Sequence, residues 1–334
     1  MSSRDTAEFL ALAAIWGASF LFMRIAAPEF GPLSLMLVRC AVGAATLLPV
    51  LLWHGKGREL VAHAPRLFLV GVLNSAIPFV LLGYATLALS AGVTSILNSL
   101  APLWTALIAW LWLGDRLTRA QALGLCLGAI GVAILVGGGG GEVGVDGGGA
   151  PDATGPGMSA GAGIGLAALS FAAGILAALF YGVSANFTRR YLVGVHPLAT
   201  ATGSQLSATL VLLVPGLLTW PARVPDANPE GASVLGHVAP LLGAVSPVSW
   251  LAAVTLGVVC TGVAYLLFFR LIASVGATRT IAVTFVIPLF GVGWGALFLG
   301  ELVDVATLAG GAVIVLGTAL TTGVLRSPGG RSTP

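Results

Sequence analysis

Charge is what this sequence has least of: Asp, Glu, Lys and Arg together make up 8% of 334 residues, against roughly a quarter in soluble globular domains. That deficit excludes an ordinary water-soluble globule, whose surface needs a dense coat of charged groups. Histidine is as scarce, and His54, His63, His196 and His237 all fall in loops or at the edge of an apolar run. The three cysteines, Cys40, Cys126 and Cys260, lie inside apolar runs, where a thiol behaves as a small hydrophobe. No disulfide framework, metal site or cofactor is therefore expected. A net charge of +3, scattered along the chain, gives no footprint for nucleic acid. The N-terminus also lacks a basic region, since Arg4 is balanced by Asp5 and Glu8, so the first apolar run reads as part of the mature protein.

What fills the space is hydrocarbon: 57% of residues are hydrophobic and the mean hydropathy is +1.01. A helix satisfies its backbone internally and so tolerates lipid, whereas a charge there costs several kcal/mol. Spans of about 20 apolar residues fall at 9–28, 32–53, 67–89, 92–113, 119–137, 163–187, 197–220, 248–269, 276–299 and 303–324. Two separators are long. Residues 138–162 are Gly-rich, with Pro151 and Pro156, and read as a linker; Pro221 to Pro247 is Pro-rich.

The positive-inside rule tests this count. With ten spans and a cytoplasmic N-terminus, Arg4, Lys56, Arg58, Arg66, Arg116, Arg119, Arg189, Arg190, Arg270, Arg279, Arg326 and Arg331 all fall inside, and Arg223 alone falls outside. Glu29, Glu142, Asp146, Asp152, Asp226, Glu230, Glu301 and Asp304 fall outside. The expected protein is multi-pass in the plasma (inner) membrane, with both termini cytoplasmic. A repeat appears when 94–131 is laid on 280–317: Thr94, Pro102, Leu113, Gly114, Gly124 and Gly131 meet Thr280, Pro288, Leu299, Gly300, Gly310 and Gly317, with Asp115 on Glu301. Each half holds five spans, an odd number, so the halves enter the membrane in opposite senses. Such inverted repeats build many secondary transporters, with the substrate near the midplane.

Several residues resemble a known family. Trp16-Gly17-Ala18-Ser19-Phe20 with Arg24, Arg39 of the second span, and Pro102 with Leu113-Gly114-Asp115 are similar to the first repeat of the EamA family in the drug/metabolite transporter superfamily. Gly276-Ala277-Thr278, Pro288 and Leu299-Gly300-Glu301 resemble its second repeat. The resemblance implies an all-α membrane protein of ten transmembrane helices as two inverted five-helix repeats, 1–137 and 163–325, with a tail at 326–334. It also implies a cavity lined by helices 1, 3, 4, 6, 8 and 9, with helices 5 and 10 peripheral, and small solutes as cargo, often exported. Asp115 departs from the commoner Glu, and the Gly-rich linker is longer than usual.

Pro78, Pro102 and Pro288 sit within spans, where proline frees the carbonyl four residues back and kinks the helix. Those carbonyls belong to Asn74, Asn98 and Thr284. These polar residues either pack against neighbouring helices or line a mid-depth cavity. Arg24 either snorkels or pairs with Glu29, or it meets substrate. Arg39, deeper in its span, is either a structural clamp or a receptor for a carboxylate or phosphate. Trp16, Trp104, Tyr181, Tyr265 and Trp294 are either packing or a cavity wall, while Trp53, Trp220 and Trp250 mark interfaces. Gly124 and Gly128 form a small-residue seam within one chain or between two copies.

The function expected is a secondary transporter of a small organic metabolite, an amino acid or related solute, moved outward by alternating access. Its partners are that solute and membrane lipid, with no nucleic acid, as a monomer or weak homodimer. The alternatives are a proton-coupled drug or cation exporter, and a non-transporting scaffold or sensor. An intramembrane enzyme would need an acid/base pair or metal ligands within the spans, and the sequence offers neither.

Overall fold

The computed structural model describes residues 1–138, 160–221 and 245–323. Most of the Gly-rich linker, most of the Pro-rich loop and the C-terminal tail lie outside the described residues. Among the described residues, ten helices are long and apolar enough to cross a membrane. They are α1 (Ser3–Phe30), α2 (Pro32–Trp53), α3 (Ala64–Ala88), α4 (Ala91–Leu113), α5 (Arg119–Gly137), α6 (Ala160–Tyr191), α7 (Pro197–Leu218), α8 (Pro247–Val275), α9 (Arg279–Leu299) and α10 (Val305–Thr322). A short helix, Gly57–Ala62, precedes α3.

Local chemistry sets the ends. Ser2 and Asp5 form a reciprocal cap on α1, Thr118 and Gln121 do the same on α5, and Asp304 accepts from Thr307 N at 2.6 Å to start α10. Pro32, Pro197 and Pro247 open their helices, where a missing N–H costs nothing. Several helices outrun the spans expected from hydropathy. The added turns at the start of α1 and the end of α8 are held by a surface pair network in which Glu8 bonds Arg4 and Arg270. Outward-facing Leu210, Val214, Leu251, Leu289, Leu297 and Leu308 are exposed, an apolar exterior suited to lipid.

Both halves share interruptions. Val72–Ala76 in α3 and Val258–Val263 in α8 are wound as π-helix, at positions that coincide under the offset aligning the two sequence repeats. A π turn leaves carbonyls out of the ordinary ladder, and such turns concentrate at functional sites. In α3 the interruption lies in the π turn just before Pro78, with Ile77 N reaching Val72 O. In α4 it lies at Ser99–Leu100, where hydrogen bonds tighten to the third residue back before Pro102 restarts the helix. In α9 the interruption falls at Ala282, and Pro288 sits within the continuous helix that follows.

The peripheral pair α5 and α10 is held by mutual glycine contacts. A Cβ on Gly317 would stand 2.6 Å from Gly124 O, and one on Gly310 would stand 2.9 Å from Gly131 O. The small-residue seam is thus used within the chain, Gly128 itself packing on Leu103.

Candidate functional site

The π turns lie where α3 meets α7 and α8 meets α2. Ser75 Oγ lies 2.7 Å from Ser204 Oγ and accepts from Gln205 Nε2 at 3.0 Å. At the equivalent point in α8, Thr261 Oγ1 donates to Leu256 O, five residues back, at 2.9 Å and accepts from Arg39 Nε at 3.2 Å. The Thr261 hydroxyl thus ties the Leu256 carbonyl to the Arg39 guanidinium.

Arg39 is 5% exposed and stacks over the Phe79 ring, 3.9 Å from its centroid. Its Nη1 reaches only the thioether of Met23, at 3.7 Å, a weak acceptor. Among the described residues it makes no ion pair. A guanidinium carries five N–H donors, so most of its donor capacity is unspent.

Met23, Arg39, Phe79 and Thr261 border a cavity of about 290 Å³ between the two halves. Of the residues singled out from the sequence, the structure brings Trp16, Arg39, Asn74, Asn98, Tyr181, Tyr265 and Thr284 together on its wall. Asn74 Nδ2 donates to the Tyr265 hydroxyl at 3.3 Å. Arg39 is the one charged side chain described on the wall, which includes no carboxylate and no histidine. The lining comes from helices 1, 3, 4, 6, 8 and 9, with α2 added through Arg39 alone. Phe79, Cys260, Thr261 and Phe268 also line it. Of these, Thr261 had a readable signal, since it occupies the repeat position of Ser75.

Three of the singled-out residues lie elsewhere. Trp104 has its backbone clamped on α6, where a Cβ on Gly182 would stand 2.8 Å from it, and its ring borders a separate apolar groove with Leu103 and Leu125. Trp294 donates its Nε1–H to Ala14 O at 3.0 Å and pins α9 onto α1. Arg24 Nη1 is taken up by Thr86 O at 2.7 Å and Leu87 O at 3.1 Å, and its Nε faces Glu301 Oε1 at 3.8 Å. Glu29 turns away to accept from Ser246 N and Oγ at 2.6 and 2.8 Å, so it is not the partner of Arg24.

Glu301 also accepts from Ala91 N at 2.9 and 3.0 Å, joining α4 to the α9–α10 turn. Burial pushes its carboxyl above the ordinary value, partly opposed by the Ala91 amide and Arg24. In the α4–α5 turn, Asp115 takes both Nη1 and Nη2 of Arg189, at 2.6 and 3.2 Å. That hydrogen bonding holds the Asp115 carboxyl below its ordinary value. Each acid follows a glycine in the left-handed region, Gly114 at φ 72° and Gly300 at φ 65°. Only glycine holds that conformation without strain, which explains the Leu-Gly-Asp and Leu-Gly-Glu signatures: the turn throws the carboxylate back across the bundle.

Ten spans folded around a cavity between two halves, its largely apolar wall set with a few polar groups, define a multi-pass membrane transporter. The chain belongs to the EamA-like transporter family, which it matches over residues 7–137 and again over 168–323. An uncharacterized transporter of Archaeoglobus fulgidus is 24% identical over 302 residues, covering 90% of this chain and 92% of the relative. A probable terminal-alkyne amino-acid exporter of Streptantibioticus cattleyicolor is 29% identical over 125 residues, covering 37% of this chain and 42% of that protein. A solved crystal structure superposes with a TM-score of 0.59 at 17% identity, covering 98% of this chain and all of its own; that likeness concerns the fold. Transporters of this kind carry a small-molecule substrate.

Proposed function

We propose that the protein is a secondary transporter of the plasma (inner) membrane that exports a small carboxylate-bearing metabolite, an amino acid or a related solute, by alternating access. Both termini would be cytoplasmic, as the distribution of Lys and Arg requires. The observation that carries the reading is Arg39: a buried guanidinium with unspent donors on a cavity wall that includes no described carboxylate. An uncompensated buried cation is costly, and an anionic group that docks beside it supplies the missing charge.

The rest of the wall supports the same class of solute. Asn74, Asn98 and the hydroxyls of Tyr181 and Tyr265 can meet an ammonium or hydroxyl group, and Trp16, Phe79 and Phe268 can cover an apolar body. A volume of about 290 Å³ is small for a ligand pocket, a class that runs from about 300 to 1,000 Å³. The lack of a described carboxylate or histidine on the wall favours a facilitator or exchanger over a proton-coupled cation exporter, which needs a titratable group at its site. The relative named as a probable terminal-alkyne amino-acid exporter points the same way.

The test is binding to the purified protein, read by tryptophan fluorescence, of three probes that differ only in their charged group: phenylalanine, 3-phenylpropionate and phenethylamine. The reading expects the two carboxylates to bind and the amine to fail. A preference for the amine would overturn it.

A further inference from the structure

We propose that Arg24–Glu301 and Arg189–Asp115 are a symmetry-related pair of gate latches, one at each membrane face, and that transport proceeds by breaking them in turn. Four observations converge on this. First, the pairs are equivalent under the repeat. Laying α6 on α1 so that Tyr181-Gly182 meets Trp16-Gly17 puts Arg189 on Arg24, and the offset that aligns Leu113-Gly114 with Leu299-Gly300 puts Asp115 on Glu301.

Second, each pair crosses between halves in the opposite direction. Arg24 of the first half holds the α9–α10 turn of the second, and Arg189 of the second half holds the α4–α5 turn of the first. Neither half can swing away at that face without parting its latch. Third, five spans separate the two turns, an odd number, so the latches lie on opposite sides of the membrane with the Arg39 cavity between them.

Fourth, the two are not equally sealed. The side chains of Arg24 and Glu301 are 12% and 13% exposed, whereas those of Arg189 and Asp115 are 59% and 42% exposed. The Asp115 latch is bidentate but open to solvent screening, whereas the Glu301 latch is sealed but longer, at 3.8 Å, so different forces hold the two. The contacts beneath both latches are matched as well: Gly17 packs on Phe290 and Gly182 on Trp104, at equivalent places in the repeat. Close helix contacts without side chains between them let one half roll on the other, so that parting the turns at one face presses them together at the opposite face.

The inference rests on the alternating-access reading, and its test needs no substrate. Cys260 lines the cavity and is buried, so it reports which face the cavity opens to. The probe is a membrane-impermeant methanethiosulfonate, applied to either face of oriented vesicles, with modification of Cys260 read by peptide mass spectrometry. Glu301→Gln keeps an acceptor for Ala91 N but loses the charge. It should raise labelling from the Glu301 face several-fold and lower it from the other, and Asp115→Asn should do the reverse.

The charge-swapped pair Arg189→Asp with Asp115→Arg should return both rates to those of the unaltered protein. A merely structural ion pair would not give that reciprocal pattern. Labelling that rises from both faces in each single variant, or that shifts in neither, would overturn the proposal. Should the swapped protein fail to fold, Asp115→Glu, which keeps the charge, must leave the sidedness unchanged. Reciprocal labelling without flux of any solute would sink the transport reading and leave the latches standing; flux with non-reciprocal labelling would do the opposite.

Discussion

Replacing Arg39 by glutamine separates the two roles that sequence leaves open, because clamp and receptor predict opposite balances of stability and binding. The empty protein carries the Arg39 charge with no counter-ion among the described residues, a penalty of several kcal/mol. Against it stand the bond to Thr261 Oγ1, about 1.5–3 kcal/mol for a charged donor, and the stack on Phe79, about 2 kcal/mol when desolvated. These terms nearly cancel, so Arg39→Gln should move the thermal midpoint by only a few degrees. Ligand affinity behaves differently. A carboxylate losing its charged hydrogen bonds should bind about tenfold to a hundredfold more weakly. The assay is a thermal melt of the detergent-solubilised protein with and without 3-phenylpropionate. A large loss of stability with the response to the carboxylate unchanged would refute the receptor and establish the clamp.

Acidification should part the two latches in order. Glu301 is raised by burial, so it protonates first as pH falls, while Asp115, lowered by Arg189, keeps its charge to lower pH. The ratio of Cys260 labelling from the Glu301 face to that from the Asp115 face should therefore climb on mild acidification; a falling ratio would contradict the assignment. Gly317→Ala places a Cβ 2.6 Å from Gly124 O and 3.0 Å from Gly128 N. Overpacking of that kind costs about 1–3 kcal/mol, and a melt unchanged from the unaltered protein would show that the α5–α10 contact is looser than described. In intact cells an impermeant maleimide should mark Gly148→Cys and leave Arg58→Cys unmarked, and the reverse pattern would invert the orientation. Asn98→Ala and Thr284→Val should each slow transport while inserting normally, and normal rates in both would remove these positions from the working wall.

The spans, the repeat and most of the wall were legible because they depend on properties a sequence displays directly. Hydrocarbon length sets the spans, and a polar residue amid twenty apolar ones has few places to go but inward. The same logic misplaced Arg24, Trp104 and Trp294, because it registers depth and not rotation about the helix axis. Arg24 points to carbonyls of α3 and to Glu301, a residue far away in sequence, and Trp294 spends its N–H on the Ala14 carbonyl. Nor do prolines mark every break. Pro288 lies in unbroken helix while the interruption falls at Ala282, and the π turn in α8 has no proline within it. The Arg189–Asp115 pair was hidden for another reason. Asp115 already stood on Glu301 in the repeat, but Arg189 looked like an ordinary inside loop charge until the register of α6 on α1 made it the counterpart of Arg24.

The central claim is that the cavity carries a carboxylate solute down its own gradient, and flux tests it most directly. Proteoliposomes holding the purified protein would be loaded with unlabelled 3-phenylpropionate and given the labelled compound outside, at zero membrane potential, with and without an imposed pH gradient. The account predicts exchange that is indifferent to the pH gradient, falls about tenfold or more in Arg39→Gln, and is absent with phenethylamine. Accumulation that follows the pH gradient and collapses with a protonophore, or flux of the amine in preference to the acid, would contradict it.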